Sequence, residues 1–502
     1  MLAQPAQAAP SIRDDLEEHF RPFREQTVGI NQTFASPTGT RRIVYGDWTA
    51  SGRLYHPIEE RLTHTFGPFM GNTHSESSLV GSRMTHAYHE ARDILKRHVG
   101  ADEHDVLLPT GFGMTGAVNK LQRILGLRAP GRLESQIKLS PGERPVVFVT
   151  HMEHHSNHTS WLETIADVEC IEPTQAGLVD LNNLRERLAA YADRPLKIGA
   201  FTACSNVTGV ETPYHAMAKI MHEHGGICFV DFAASAPYVP IQMHPADPLE
   251  KLDGIVFSPH KFLGGPGASG ILIFDSRLYN CEVPDQPGGG TVAWTNPWGG
   301  YRYLDDIEQR EDGGTPGILQ AIRAALAVRL KEIMNVGAMR RRENQLVKTA
   351  LKGLRSIPGV HILADNIDER LGIFSFYTEG VHYNLMVRVL NDQYGVQVRG
   401  GCSCAGTYGH YLLHVDPNRS RRITDLIDGG DLSEKPGWVR LSIHPTTTQA
   451  ELEFMIEAVR DAATNIDRYR SSYKYSPVTN EFTPAEPFPD GSAEVKGWFA
   501  LS

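Results

Sequence analysis

Short apolar segments alternate with amphipathic ones through the first part of the chain. Each apolar segment is 5–6 residues long, rich in β-branched or aromatic residues, and bounded by polar or glycine-containing turns, which is typical of buried strands. These predicted strands are VVFVT (146–150), IGAFTA (198–203), ICFVDF (227–232), GIVFS (254–258) and GILIF (270–274). Helical spacing between them predicts helices over 182–192 and 214–224. The alternation predicts an α/β fold whose mainly parallel sheet is covered by helices on both faces.

A long helical pattern over 318–339 predicts the connection to a smaller C-terminal domain. That domain has strand patterns at 372–377 and 439–444, and helical patterns at 383–394 and 448–469. After residue 475 the chain is rich in proline and polar residues, which indicates a tail or arm. The expected organisation is an N-terminal arm (1–40), a large α/β domain (41–325), a small α+β domain (326–475) and a tail (476–502).

Composition restricts the class of protein. The 502 residues are 41% hydrophobic and 22% charged, which is ordinary for a globular protein and argues against disorder. A net charge of −10 does not favour a nucleic-acid partner, and the short basic run at 419–422 is expected to be a solvated loop. No apolar stretch approaches about 18 residues, and the N-terminus lacks the features of a signal peptide, so no membrane segment is predicted. Six cysteines are too few for a disulfide framework, and a cytoplasmic location is expected.

The most informative segment for chemistry is FSPHKFLGGPG (257–267), where His260 and Lys261 directly follow a strand that ends at Ser258. A lysine placed there can bond to a cofactor aldehyde as a Schiff base, with Ser258 and His260 as phosphate ligands. A surface lysine in a loop explains the same pattern. Asp231 closes the preceding strand, where its carboxylate could pair with a pyridinium nitrogen or cap the next helix.

Two further strand ends carry polar or glycine-rich segments. The segment after residue 150 contains His151, His154, His155 and His158, which could bind a metal, stack on a flat cofactor, or form a histidine-rich loop. It does not match HExxH, so a metal site is not favoured. The glycine-rich turn PTGFGMTGAVN (109–119) runs into a helical pattern, and its backbone amides could bind a phosphate.

In order and type, these motifs resemble the fold-type I, class V aminotransferase superfamily of pyridoxal-phosphate (PLP) enzymes, over about residues 43–460. Its cysteine desulfurase and selenocysteine lyase branch is the most similar. The resemblance implies that Lys261 is the Schiff-base lysine and proton shuttle, Asp231 pairs with the pyridine nitrogen, and His154 stacks on the ring. It further implies that the cofactor is bound by Gly113, Met114, Thr115, Asn206, Ser258 and His260. It also implies no metal, a small amino-acid substrate, and a homodimer whose interface includes loops 288–292 and 311–317.

The segment VRGGCSCAG (398–406) lies where this branch carries its catalytic cysteine. The resemblance implies that Cys404 takes up the substrate sulfur as a persulfide and passes it to a sulfur-acceptor protein. Arg399 and the glycine-rich surroundings suit an accessible thiol of low pKa, and Cys402 could act as a relay thiol. The pair could also be half of a metal site or two small loop residues. By the same resemblance, Arg440 in VRLSIH binds the substrate α-carboxylate, with Arg399 and Asn206 beside it.

The chain departs from the family pattern at three places. Ala234 or Ser235 stands where desulfurases carry a glutamine, Met114 stands where threonine is common, and an insertion between Cys404 and Arg440 is expected to remodel the substrate entrance. The function expected is a PLP-dependent, desulfurase-like C–S lyase that releases sulfur or selenium from an L-cysteine-type amino acid. One alternative is a class V aminotransferase, epimerase or other lyase in which the cysteines are not catalytic. Another is a non-catalytic metal or sulfur carrier that uses the histidines and both cysteines.

Overall fold

The computed structural model describes residues 15–73, 77–133 and 136–501. Residues 1–14 of the predicted arm, and residue 502 of the predicted tail, lie outside these ranges. The helices are α1 (Leu16–Glu25), α2 (His56–Arg61), α3 (Leu79–His98), α4 (Gly113–Ile124), α5 (His155–Leu162), α6 (Leu181–Ala190), α7 (Tyr214–Glu223), α8 (Ile307–Arg310), α9 (Ile318–Met334), α10 (Val336–Arg355), α11 (Tyr383–Val389), α12 (Gly406–Leu412), α13 (Pro417–Asp428), α14 (Gln449–Thr464), α15 (Ile466–Arg470) and α16 (Ser492–Gly497). Among the residues described, no helix has both the length and the apolar character needed to cross a bilayer.

The strands form one large sheet, one smaller sheet and several short pairs. They are β1 (Thr33–Ser36), β2 (Gly39–Arg42), β3 (Val44–Tyr45), β4 (Asp105–Thr110), β5 (Val146–Thr150), β6 (Asp167–Ile171), β7 (Lys197–Thr202), β8 (Ile227–Asp231), β9 (Gly254–Phe257), β10 (Gly270–Asp275), β11 (Val292–Thr295), β12 (Tyr301–Tyr303), β13 (Val360–Ile362), β14 (Ile373–Thr378), β15 (Val396–Gln397), β16 (Arg399–Gly401), β17 (Trp438–Ser442), β18 (Tyr473–Ser476) and β19 (Glu481–Pro484). The large sheet has the order β4-β10-β9-β8-β7-β5-β6, and only β10 runs against its neighbours. The predicted α/β class is confirmed.

The apolar strand sequences follow from burial on both faces of the large sheet. In β5, Val146 and Phe148 join the core formed with α3 and α9, whereas Val147 and Val149 join the core formed with α4. Alternate residues of a strand point to opposite faces, so a sheet covered twice needs apolar residues at every position. The carboxyl ends of the parallel strands are left as the polar edge.

The helical pattern predicted as one segment over 318–339 is two helices, and this part of the prediction is wrong. The chain breaks at Asn335, whose φ of 65° is left-handed, and its side chain accepts a hydrogen bond from Ala338 N at 3.0 Å. Asparagine tolerates this conformation and caps a new helix, so α10 continues to Arg355. An apolar periodicity that continues across the break hides it in the sequence.

A smaller antiparallel sheet of order β13-β14-β17-β16 has its own apolar core with α10, α11 and α14. An N-terminal segment reaches this part of the molecule, because β3 pairs with β15 and Asp47 bridges to Ser442 at the end of β17. The domain limits drawn from the sequence stay a prediction, and the one at residue 325 falls inside α9.

The insertion and the tail both have regular structure. The insertion between β16 and β17 contains α12 and α13, so the basic run at 419–422 lies in a helix rather than in the loop that we expected. After residue 475, β18 and β19 form a hairpin that packs on α11. Asn480 fixes it there: its Nδ2 donates to Tyr383 Oη, and its carbonyl oxygen accepts from Asn384 Nδ2, both at 2.5 Å.

Candidate active site

A cavity of about 410 Å³ opens at the carboxyl ends of β7, β8 and β9. It is lined by side chains from both sheets and from the N-terminal segment near residue 50. All the site residues predicted from the sequence line it: Gly113, Met114, Thr115, His154, Asn206, Asp231, Ser258, His260, Lys261, Arg399, Cys404 and Arg440. Segments far apart in the sequence therefore meet in one pocket.

Asp231 and Lys261 form an acid and amine pair in this cavity. Asp231 ends β8, is buried, and accepts a hydrogen bond from Ala233 N at 2.7 Å. Burial raises the pKa of Asp231 to about 6, opposed by that hydrogen bond and by the charge of Lys261. Burial lowers the pKa of Lys261 to about 8, opposed by Asp231 and assisted by Arg440. A cationic ring nitrogen beside Asp231 would favour the ionised carboxylate.

The turn at the start of α4 forms an anion cradle. Met114 N donates to Ser258 Oγ at 2.8 Å, which fixes the turn against the end of β9. Gly113 has a φ of +59°, and a Cβ added there would lie 3.0 Å from Ser258 Oγ, so glycine is needed for both backbone and space. The N-terminus of α4 directs its positive dipole end at this space.

His154 is a neutral ring at the N-terminus of α5. Its Nδ1 accepts from Ser156 N at 3.1 Å, which places the ring proton on Nε2. Burial, followed by the charge of Lys261, lowers the pKa of His154 to about 3. Burial similarly lowers the pKa of His260 to about 4. The positive charge in the cavity thus comes from lysine and arginine.

The other histidines of this segment do not meet at one point: His151 Nε2 lies 3.2 Å from Gly177 O, whereas His155 and His158 contact residues 404–407. His155 donates from its backbone N to Cys404 O at 2.8 Å, and its Nε2 accepts from Gly406 N at 2.9 Å. His158 Nδ1 lies 3.2 Å from Thr407 Oγ1. Within the described residues, the group with metal-ligand spacing lies elsewhere and is formed by Asp102, Asp105 and His244.

Cys404 is exposed at the cavity, whereas Cys402 is partly buried against the apolar core and does not line the cavity. Ser403 and Cys404 both have left-handed backbone angles, with φ of 53° and 55°. Asn206 Nδ2 donates to Ser403 O at 2.8 Å, and Trp438 Nε1 donates to Ser403 Oγ at 3.2 Å. These contacts hold an unfavourable backbone conformation that presents the Cys404 thiol to the cavity.

Arg399 and Arg440 line the cavity and form its arginine wall, and Asp47 contacts both of them without lining the cavity itself. Arg440 is buried on β17, donating from Nη1 to Asn206 O at 3.2 Å and from Nη2 to Asp47 Oδ1 at 2.8 Å. Arg399 lies directly opposite Arg440 in the strand register and donates from Nε to Asp47 Oδ2 at 3.3 Å. Sequence reasoning missed Asp47, because it carries no motif and only the pairing of its segment with β17 brings it here.

Glu153 is a second residue that sequence reasoning missed. It is buried behind the cavity, where Oε1 accepts from Thr202 N at 2.8 Å and Oε2 accepts from Asn157 Nδ2 at 2.8 Å. Burial raises its pKa to about 8. The sequence signal that could have identified Glu153 is its place among four histidines. It joins the ends of β5 and β7 to α5 and so supports the position of His154.

The residues present fit the predicted PLP. The cavity volume is in the range typical of small-ligand sites. Asn206 Oδ1 and Arg440 Nε are buried without a hydrogen-bond partner in the described part of the chain, so each can still bind a ligand atom. The cradle at Gly113 matches a phosphate, Lys261 an aldehyde and Asp231 a ring nitrogen, all on one cavity.

The family model described as "Aminotransferase class-V" matches residues 44–455. A probable cysteine desulfurase of Staphylococcus epidermidis is 28% identical over 369 residues, which are 73% of this chain and 84% of that protein. One from Staphylococcus aureus is 27% identical over the same length, with the same coverage of both chains. Among solved structures, the apo cysteine desulfurase of Thermococcus onnurineus superposes with a TM-score of 0.71 at 23% identity, covering 88% of this chain and 98% of that one. Escherichia coli CsdA, a cysteine desulfurase, has a TM-score of 0.67 at 22% identity, covering 90% and 98%.

Proposed function

The chain belongs to the class V aminotransferase family, and from that premise we propose that it is a PLP-dependent cysteine desulfurase. Its substrate is L-cysteine or the selenium analogue, and its products are alanine and sulfur held on Cys404. The observation that carries the proposal is an exposed thiol on the same cavity as Lys261, Asp231 and Arg440. The names of the curated relatives support the same activity.

Each part of the cavity has a role in holding the cofactor. The α4 turn and Ser258 would bind the phosphate, His154 would stack on the ring, and Asp231 would pair with the ring nitrogen. Lys261 Nζ makes no hydrogen bond with the described residues and would bond to the aldehyde carbon. When bound, PLP withdraws electrons from the bonds of an attached amino acid.

The arginine wall and the lysine orient and deprotonate the substrate. Arg440 lines the cavity, and its guanidinium would bind the α-carboxylate. Arg399, Cys404 and Arg440 line the same cavity, so a substrate held by its α-carboxylate lies in the space that the thiol faces. With a pKa lowered to about 8, Lys261 can hold and return the α-proton at Nζ near neutral pH.

Cys404 would take the sulfur by direct attack. Its thiolate forms an S–S bond to the substrate sulfur while the substrate carbon–sulfur bond breaks, and a proton goes to that carbon. One cysteine and one enzyme thiol thus give one alanine and one enzyme persulfide, so atoms and electrons balance. The exposure of Cys404 leaves the persulfide accessible to an external thiol, which would release sulfide, or to an acceptor protein.

The first test measures alanine and sulfide from L-cysteine and dithiothreitol. We expect both products in equal amounts from the wild type, and a loss of roughly 100-fold or more in Cys404→Ala because the nucleophile is gone. Cys281→Ala is the matched control, since Cys281 is partly buried outside the cavity, beside Ile124 O. No alanine from the wild type, or equal rates in the Cys404 variant, would contradict the proposal.

The visible absorbance, the reaction products and the metal content together separate this function from its alternatives. A visible band that disappears in Lys261→Ala indicates PLP held by that lysine. A keto acid without sulfide would instead indicate an aminotransferase. A colourless protein with stoichiometric metal would indicate a carrier and contradict the enzyme proposal.

We also propose that the protein forms a homodimer and works in the cytoplasm with a sulfur-acceptor partner. Phe112 is 85% exposed at the cradle, and Trp298 is 88% exposed on the β11–β12 hairpin after loop 288–292. Such exposed aromatic residues are typical of an interface. All six cysteines are free thiols, which suits a reducing compartment. Light scattering should give twice the chain mass, and a monomer would contradict the dimer.

A further inference from the structure

Asp47 is fixed beside the strand that carries Arg440. We call residues 46–50 the strap. Ser442 N donates to Gly46 O at 2.7 Å, and Thr49 N donates to Ser442 Oγ at 3.0 Å, so the strap runs along the end of β17. Trp48 stacks on His444 with ring centroids 4.3 Å apart. The strap is therefore anchored on both sides of Asp47, at Gly46 and at Trp48.

The position of Asp47 compensates an unfavourable pair of charges. Arg399 and Arg440 are directly opposite each other in the β16–β17 register, where like charges repel. Asp47 places one carboxylate oxygen on each guanidinium, at 3.3 Å and 2.8 Å. The side chains of Asp47 and Arg440 are only 15% and 3% exposed, so solvent screens their interaction weakly, whereas Arg399 is 49% exposed and its contact is screened more.

We propose that Asp47 is a positioning residue that keeps Arg399 and Arg440 together at the cavity and sets their net charge for one substrate carboxylate. Two guanidinium groups and one aspartate carry a net charge of +1, which an α-carboxylate neutralises. The inference rests on the proposed function in taking PLP as the cofactor and Arg440 as the group that binds that carboxylate.

Removing the charge of Asp47 changes the two arginines differently. Arg440 is buried and stays in place, but its Nη2 loses a charged partner. The side chain of Arg399 is 49% exposed, so repulsion can move it into solvent.

Asp47→Asn keeps the size of the side chain while losing the charge. We expect KM for L-cysteine to rise about tenfold, as for one weakened charge-assisted contact, with kcat changed by less than about threefold.

The decisive measurement uses binding rather than turnover. The PLP-loaded enzyme is titrated with L-alanine and with ethylamine, which lacks only the carboxylate, and the visible absorbance is followed. Asp47→Asn should weaken L-alanine about tenfold and leave ethylamine unchanged. Asp167→Asn is the matched control, because Asp167 bridges Arg144 and Arg194 at 2.8 Å and 2.7 Å on the edge strand β6. It should change neither ligand.

Three results would overturn the inference: equally weakened binding of both ligands, unchanged binding of L-alanine, or the same effect in Asp167→Asn. If Asp47→Asn does not fold, Arg399→Ala tests the same pair: it should weaken L-alanine several-fold and spare ethylamine, and no change would overturn the inference. A selective loss for L-alanine in an enzyme that forms no sulfide from cysteine would support the role of Asp47 while contradicting the proposed function.

Discussion

Lys261 and Asp231 titrate far from their usual ranges, in opposite directions and for the same main reason. Burial disfavours the charged form of each, which lowers the pKa of the lysine to about 8 and raises that of the aspartate to about 6. An amine with such a pKa is partly neutral near physiological pH, whereas an ordinary lysine is almost fully protonated there. The cavity therefore supplies a nucleophilic amine without a separate base.

The pH dependence of cofactor uptake tests this residue directly. The rate at which PLP-free protein acquires the visible band should rise with pH to a plateau with a midpoint near 8, because only the neutral amine reacts. The charge of Asp231 raises the pKa of Lys261, so Asp231→Asn should move the midpoint to lower pH. A midpoint near that of free lysine, about 10.4, would contradict this account.

At the scale of elements, helix α5 connects His154, the residue that we propose stacks on the cofactor ring, to the segment that carries Cys404. His154 caps the helix, and His155 holds Cys404 and Gly406 by two hydrogen bonds. Because Nε2 accepts from Gly406 N, the ring keeps this contact only while Nε2 is unprotonated. Burial lowers the pKa of His155 below its usual range.

The contact made by the His155 ring should fail on acidification. The pKa is lower in the folded protein, so the stabilisation is fully present above the unfolded value of about 6.5 and is lost as pH falls through the folded value. Hydrogen exchange at Gly406, corrected for the intrinsic rate, should therefore accelerate in acid. In His155→Ala it should be fast at every pH, and protection unaffected by the variant would refute the contact.

At the scale of the whole molecule, the strap and the loop that carries Lys261 join the two sheets. We call residues 259–265 the lysine loop. Gly52 N donates to His260 O at 2.9 Å, and Gly264 N donates to Arg53 O at 2.7 Å. Through these bonds the N-terminal segment lies against the loop that carries Lys261, while the strap pairs with β17. The cavity is thus assembled only when three distant parts of the chain have docked.

Gly52→Ala tests this docking. A Cβ there would lie 1.9 Å from the backbone oxygen of Phe262, which cannot move without shifting the lysine loop. We expect a cost of about 3 kcal/mol or more, seen as a melting temperature lowered by at least about 2 °C, together with weaker PLP retention. Gly131→Ala is the control, since nothing lies within 4 Å of its added Cβ. Equal stability of the two variants would refute tight docking at Gly52.

The α/β class and the strand ends that carry polar residues are predictable from the order of residues alone. Strands β5 and β8 begin at the predicted residues. A strand that is buried on both faces is apolar at every position, so the polar residues that flank it mark its ends clearly. Since parallel strands end at one edge, Asp231 and Lys261 were predictable as neighbours from the chain alone. The assignment of Cys404 came from the family resemblance, and the structure places it on the same cavity.

The surroundings of these groups depend on contacts between distant parts of the chain, which only the folded molecule shows. Asp47 has no local pattern, because its partner Arg440 lies on β17, and Glu153 joins its neighbour Asn157 to the distant end of β7. The histidines after β5 matched several kinds of site, and their roles depend on α12, which only folding brings against them. The break at Asn335 and the docked hairpin at Asn480 were hidden for the same reason. Local periodicity records which face is buried, whereas hydrogen bonds and charges depend on which residues the fold brings together.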